Sequence, residues 1–375
     1  MSKVGIMSMQ RVVNYGSFLQ AFALKGLLEE MGHTVEFVDY KVAEDNLLTN
    51  QARGNNSSKE KLKLIFADSI GMLFRNNTKI RRICNAIQCT DLFQHRFEHE
   101  FIPMLGVTSE RNERAEVDTL IIGSDEVFNI MHNSMELFGL DNRAKRLISF
   151  AASFGNTDFS HIVDADMCTI LKERLHKFDA LSVRDRNSIE IVERLSDGTI
   201  HPQYHLDPVL HYDYSAYIPQ IKYRRKYIAV YAYSNIPNQL KRAIERFAKS
   251  LGLDILCLQG YQGDMGHFMN VNPFEMLAYI KNAEYLVTTT FHGCVFGAKY
   301  SKKMAIYIVT KDNKSYNNES KLGDLTKRLG LSDSVFTNEN NFEKALMHEI
   351  NYTELQDLIN RETEQGRRFL EENVK

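Results

Sequence analysis

The chain has 375 residues, 43% of them hydrophobic, with a formal net charge of −2. That length favours two domains over one, and the hydrophobic share is ordinary for a globular chain with a core in each half. Without a basic excess the chain does not read as a general nucleic-acid binder, and any basic face must be local.

Cys84, Cys89, Cys168, Cys257 and Cys294 form an odd set without a CxxC pair. They point to a reducing compartment and no structural zinc. No apolar run reaches the roughly 18 residues needed to span a bilayer. The opening KVGIMSM lacks the apolar core of a signal peptide, so a cytoplasmic location is expected.

In chain order, KVGIMSM reads as a strand and QRVVNYGS as a polar loop. FLQAFALKGLLEEM has helical spacing, with Phe18, Phe22, Leu24, Leu27 and Leu28 on one broad face and Gly32 as its cap. TVEFVDY is the next strand, and such a strand-helix-strand unit implies parallel pairing with a right-handed crossover. Residues 41–117 read as a loop and a helical insertion carrying Arg53, Lys59, Lys61, Lys63, Arg75, Lys79, Arg81 and Arg82. A solvated basic face is the plainer reading of that insertion. A surface resting on anionic lipid or on a diphosphate-linked substrate is the sharper one.

Strand signals return in DTLIIGSD, RLISFAASFG and ALSVRDRNS, the last breaking into the helix SIEIVERL, and YHLDPVLHY closes the half. The second half restarts at YIAVYAYS and alternates helix and strand through DILCLQG, EYLVTTT and KKMAIYIV, then ends in helices. The expected architecture is α/β, with two Rossmann-like doubly wound domains. The first covers 1–216, a tyrosine-rich basic linker 217–227, the second 228–352, and a C-terminal helix 353–375.

Ligands in open α/β sheets bind beyond the carboxyl ends of the strands. Five polar clusters fall there: Asn14-Tyr15-Gly16-Ser17, Gly123-Ser124-Asp125-Glu126, Ser153-Phe154-Gly155, Arg184-Asp185-Arg186 and Thr290-Phe291-His292-Gly293. His292 stands at a helix start, where free N–H groups and the helix dipole suit phosphate or carboxylate. Gly293 lets the backbone approach a ligand. A packed, satisfied histidine fits the same pattern. Arg184 follows a strand directly and can grip an anion by two parallel hydrogen bonds, although a salt bridge would use it equally well. Asp125 reads either as a lone general base or as a helix cap. No metal-ligand spacing, HExxH or GxSxG is present, and no metal is expected.

Taken in order, NYGSFLQAFAL, DTLIIGSDEVFN, SFAASFG, LSVRDRNS, HLDPVL, NAEYLVTTTFHGCVFGAKY and KLGDLTKRLGL resemble the polysaccharide pyruvyl transferase family over nearly the whole chain. The resemblance implies a glycosyltransferase-B-like fold whose two domains face a cleft. It also implies transfer of a pyruvyl group from phosphoenolpyruvate to sugar hydroxyls, with a ketal and phosphate as products. The family's key histidine falls on His292 and its key arginine on Arg184. A further basic contact falls on Lys311, Lys314 or Lys321, which the spacing does not separate. Asn14, Tyr15, Gly16, Ser124, Ser153, Arg186, Thr290 and Gly293 are then expected to line the substrate site, with Asp125 as base. Phosphoenolpyruvate enters as co-substrate and no resident cofactor is implied. The acceptor is a sugar with neighbouring hydroxyls. A lipid-linked acceptor would turn the basic 53–82 segment toward the membrane. Two other readings remain: a nucleotide-sugar glycosyltransferase on the same fold, and a silent glycan-binding relative.

Overall fold

The computed structural model describes residues 1–41, 92–113, 115–131, 134–233, 236–308 and 319–375. The whole of the basic 53–82 segment, with Lys311 and Lys314, lies outside the described residues.

Parallel pairing organises both halves. Strands β1 (Lys3–Met7), β2 (Thr34–Phe37), β3 (Thr119–Asp125), β4 (Arg146–Ala152), β5 (Ser182–Val183) and β6 (Gln203–Tyr204) form one six-stranded sheet, ordered β2-β1-β3-β4-β5-β6. Strands β7 (Tyr227–Tyr231), β8 (Asp254–Cys257), β9 (His267–Phe268), β10 (Tyr285–Thr288), β11 (Lys303–Tyr307) and β12 (Val335–Phe336) form the other, ordered β12-β11-β10-β7-β8-β9. Every strand pairing is parallel. β3 and β7 are buried along their whole length, as expected of parallel strands covered on both faces. The second sheet has the 3-2-1-4-5-6 order of dinucleotide-binding folds. The molecule thus consists of two Rossmann-like units, a glycosyltransferase-B-like arrangement. The two-residue edge strands β9 and β12 were not evident from the sequence, being too short to show alternation.

The helices divide by position. α1 (Tyr15–Glu30), α2 (Phe159–Asp164), α3 (Cys168–Leu175), α4 (Arg186–Leu195) and α5 (Pro208–His211) belong to the first half. α6 (Asn238–Leu251), α7 (Pro273–Asn282), α8 (Phe291–Lys299), α9 (Glu319–Arg328) and α10 (Phe342–Met347) belong to the second, and α11 (Tyr352–Asn373) follows. α6 buries one stripe, Leu240, Ala243, Ile244, Phe247 and Ala248, as a surface helix does. α1 and α8 are buried nearly all round. Each packs on its own sheet and also faces the other half. Phe18 and Phe22 of α1 meet Phe274 of α7 with ring centroids 6.0 and 5.1 Å apart. Lys299 at the end of α8 donates to the carbonyls of Leu210 and Tyr212 at 3.4 and 2.7 Å.

α11 spans both halves. Near its start Gln356 donates to Ala298 C=O at 3.1 Å. Toward its end Phe369 stacks on Phe150 of β4 at 6.0 Å, and Arg146 reaches Asn373 at 3.5 Å. No helix among the described residues is long and apolar enough to cross a membrane.

Candidate active site

Strand order reverses between β1 and β3 in the first sheet and between β7 and β10 in the second. Ligands in open parallel sheets bind in the crevices beyond such points. β1 leads through Asn14 into α1, β3 ends at Asp125, and β10 leads through Thr290 into α8. Local chemistry sets each entry. Asn14 has extended backbone (φ −156°), and its Oδ1 accepts from the Gly16 and Ser17 amides at 2.7 and 3.3 Å. Thr290 Oγ1 accepts from the Gly293 amide at 2.9 Å. Such caps satisfy amides that the first helical turn leaves unpaired.

Between these points lies a buried polar cluster. Arg184 donates through Nη2 to Asp125 Oδ1 at 2.9 Å and through Nη1 to Asp207 Oδ2 at 2.7 Å. Its guanidinium carbon sits 4.4 Å from the centroid of the Phe291 ring. Ser17 donates to Asp125 Oδ2 at 2.6 Å. His292 Nε2 lies 3.5 Å from Asp207 Oδ2 and is buried without a hydrogen bond. Arg184 and His292 are each only 4% exposed. A second pair crosses the boundary beside them, Lys321 of α9 with Glu126.

The His292 ring rests on Gly16. A Cβ at that position would fall 2.2 Å from the imidazole Nδ1, so only glycine allows α1 and α8 to approach this closely. Gly293 is under the same constraint, because a Cβ there would lie 1.9 Å from Thr288 Oγ1. Asp125 has φ 78°, a left-handed conformation that aspartate tolerates better than most residues.

Charge pairing outweighs burial at this cluster. Burial pushes the Asp125 carboxyl up, but Arg184, His292 and the Ser17 hydrogen bond hold it at about 2. Asp207 is likewise lowered against its burial by His292 and Arg184, and Glu126 against its burial chiefly by Lys321. Asp185 goes the other way. It caps α4 through Ser188, and burial raises its carboxyl.

Several expected site residues are occupied otherwise. Tyr15 is packed among Phe93, Phe97 and Phe101, with its hydroxyl donating to Val271 C=O. Ser124 donates to Ala151 C=O at 2.8 Å, and Ser153 Oγ accepts from the Gly155 amide at 2.9 Å. Arg186 has an exposed side chain, 3.4 Å from Asp324 of α9. Arg184, expected to be available to an anion, is held by two carboxylates. Asp125 caps no helix. Sequence reasoning missed Asp207, and it placed Ser17 in a strand-end polar cluster without counting it among the residues lining the site. Asp207 could have been noticed, since an Asp directly before the Pro208 that opens a helix is a strong cap signal. Among the described residues no group of three or more His, Cys, Asp or Glu could hold a metal ion.

The family model described as polysaccharide pyruvyl transferase matches residues 14–307, which include Ser17, Asp125, Arg184, Asp207 and His292. The chain belongs to the polysaccharide pyruvyl transferase family. No curated protein matches it in sequence. Solved structures similar to this family member include the UDP-GlcNAc 2-epimerase of Neisseria meningitidis bound to UDP-GlcNAc. It is 7% identical, covers 100% of this chain and 99% of its own, and has a TM-score of 0.47. The Methanocaldococcus jannaschii UDP-GlcNAc 2-epimerase is 10% identical over 93% of each chain, with a TM-score of 0.46. The S. aureus MnaA–UDP structure is 10% identical over 98% of this chain and 91% of its own, with a TM-score of 0.45. At such scores these likenesses bear on neither the substrate nor the mechanism of this pyruvyl transferase family member.

Proposed function

We propose that the protein transfers a pyruvyl group from phosphoenolpyruvate to a sugar in a cell-surface polysaccharide precursor, forming a pyruvate ketal and releasing phosphate. Family membership supports this reading. The observation that carries it is that Arg184 from one half and His292 from the other converge on one buried carboxylate, Asp207. Groups of this kind on opposite lips suit a small donor carrying both a phosphate and a carboxylate. The positive end of α8 points the same way.

In this reading Arg184 grips one anionic group of the donor, and His292 gives a proton to the departing phosphate. One sugar hydroxyl adds to the enol carbon while the terminal methylene takes a proton and becomes a methyl. The bond from that carbon to the phosphate oxygen breaks. The second hydroxyl then adds to the same carbon and closes the ketal. Asp125 accepts a hydroxyl proton, and over the two additions the two hydroxyl protons balance the one gained by the new methyl and the one carried off with the phosphate. While Arg184 holds Asp125 at about 2 it is a weak base. A donor that takes Arg184 over releases it and lets its proton affinity rise. Lys321, Lys311 or Lys314 supplies a third phosphate contact, beside the start of α8 that Thr290 caps at Gly293. The acceptor is a hexose with neighbouring hydroxyls, of the galactose, N-acetylmannosamine or glucose kind. A lipid-linked form would bring the protein to the inner face of the membrane.

The test is phosphate release from phosphoenolpyruvate with and without candidate acceptors, for the wild type and His292→Ala. Release that depends on acceptor and falls by about 10²–10⁴-fold in the variant supports the reading. Full activity in the variant removes His292 from it. The 3-2-1-4-5-6 order of the second sheet favours one alternative, a nucleotide-sugar glycosyltransferase. A thermal shift with UDP or GDP, and none with phosphoenolpyruvate, would select that alternative.

A further inference from the structure

Asp207 makes polar contacts to both Arg184 and His292. Nothing in its own surroundings leaves it free to move. Its side chain is 0% exposed, and its Oδ1 accepts from the Val209 amide at 3.1 Å. Pro208 fixes the backbone just beyond it. One oxygen thus holds the start of α5, and the other faces the guanidinium and the imidazole.

We infer that Asp207 is a positioning residue that keeps the His292 proton on Nε2 and locks the imidazole to the Arg184 guanidinium across the domain boundary. The inference takes its catalytic meaning from the pyruvyl-transfer reading, but the pairing itself does not depend on that reading.

The surroundings of His292 favour this assignment. α1 presents Gly16 to the ring, which carries no charge and cannot compete for the proton. Phe291 and Phe296 of its own helix flank it with apolar surface. The charged groups nearby are Asp207, Asp125 and Arg184, so two carboxylates stand against one guanidinium. A proton on Nε2 faces the nearer carboxylate. A proton on Nδ1 alone would leave a bare nitrogen lone pair pointing at a carboxylate oxygen, which is repulsive. The hydrogen bonds of Asp125 go to Ser17 and Arg184, and the carboxylate 3.5 Å from His292 Nε2 is that of Asp207.

The experiment is histidine-selective ¹⁵N NMR on the full chain without substrate, with His292→Gln used to assign its signal among the 12 histidines. In the wild type, His292 should be protonated at Nε2 in its neutral form. A neutral Nδ1–H form overturns the inference. In Asp207→Asn the Nε2–H form should lose its dominance, since the amide nitrogen can donate to a bare Nε2 and the charge that held the proton is gone. An unchanged tautomer in a folded variant also overturns it. If Asp207→Asn fails to fold, the wild-type tautomer alone decides. In turnover assays Asp207→Asn should lower kcat more than it raises KM, because the imidazole is no longer held while Arg184 remains to bind the donor. A protein that shows the Nε2–H form and its loss in Asp207→Asn but never turns over phosphoenolpyruvate supports the pairing and rejects the donor.

Discussion

The two lips of the cluster are built from different materials. The first half supplies charged side chains at strand ends and caps: Asp125, Glu126 and Asp207 against the single cation Arg184. The second half supplies a helix start, with His292, the Thr290 cap and the α8 amides, together with Lys321. Carboxylates are in excess on one side and cation-capable groups on the other. Of the contacts that cross between them, Lys321 with Glu126 joins opposite signs, and His292 Nε2 faces Asp207. The first lip therefore depends on pairing to tolerate burial, whereas the second depends on close packing of α8 against α1.

The strongest way to break that contrast is Arg184→Ala. It leaves Asp125 and Asp207 buried without their shared cation. The expected cost is about 3–5 kcal/mol of stability by urea unfolding and about 10²–10³-fold or more in turnover. Adding Asp125→Asn and Asp207→Asn should restore stability but not activity. An Arg184→Ala protein as stable as wild type would mean that the carboxylates do not depend on it.

Acid separates the lips from what lies beneath them. His205 is buried and His211 half-buried below the first sheet, His205 with Nδ1 2.8 Å from Ser182 Oγ and His211 against Gly366 of α11. Burial lowers them to about 4 and about 3 from 6.5. The unfolded chain takes up protons first, so their contribution is full above pH 6.5 and is lost as pH falls toward those values. Asp125 behaves as a lowered carboxylate. Its contribution is present above 3.8 and is lost as pH falls through about 2. Urea midpoints should therefore decline in two stages. Replacing His211 with Gln should flatten the upper stage and leave the lower one. A flat profile from pH 6.5 to 4 contradicts the buried neutral histidines.

Packing at the second lip should give the smallest effects. Gly16→Ala forces the His292 ring aside, at a cost of about 1–3 kcal/mol with a fall in kcat. Gly323→Ala, in α9 of the second half and with nothing near its added methyl, should be neutral or stabilising by about 0.5–1 kcal/mol. Thermal melts and turnover on the pair measure the difference. Equal effects would show that the α1–α8 approach is not tight.

Much of this contrast was legible in the sequence, and the reason is physical. The long strands are apolar runs ending in polar turns, and β3, β7 and β10 stand where DTLIIGSD, YIAVYAYS and EYLVTTT place them. His292 and Arg184 follow such runs, so the topology delivers them to strand ends. What the sequence withheld depends on distant partners. The aromatic packing of Tyr15 depends on Phe93 and Phe97, nearly 80 residues away in sequence. The left-handed backbone of Asp125 and the capture of Arg184 by Asp207 have no local signature beyond the Asp-Pro step.

α11 has a mechanical consequence. Its first turns are fastened to α8 through Gln356, and its last turns to β4 through Phe369 and Asn373. A helix is a stiff rod, and at about 1.5 Å per residue these anchor points stand about 20 Å apart. The two halves are therefore braced by a strut of set length. They cannot draw apart along it without an anchor letting go.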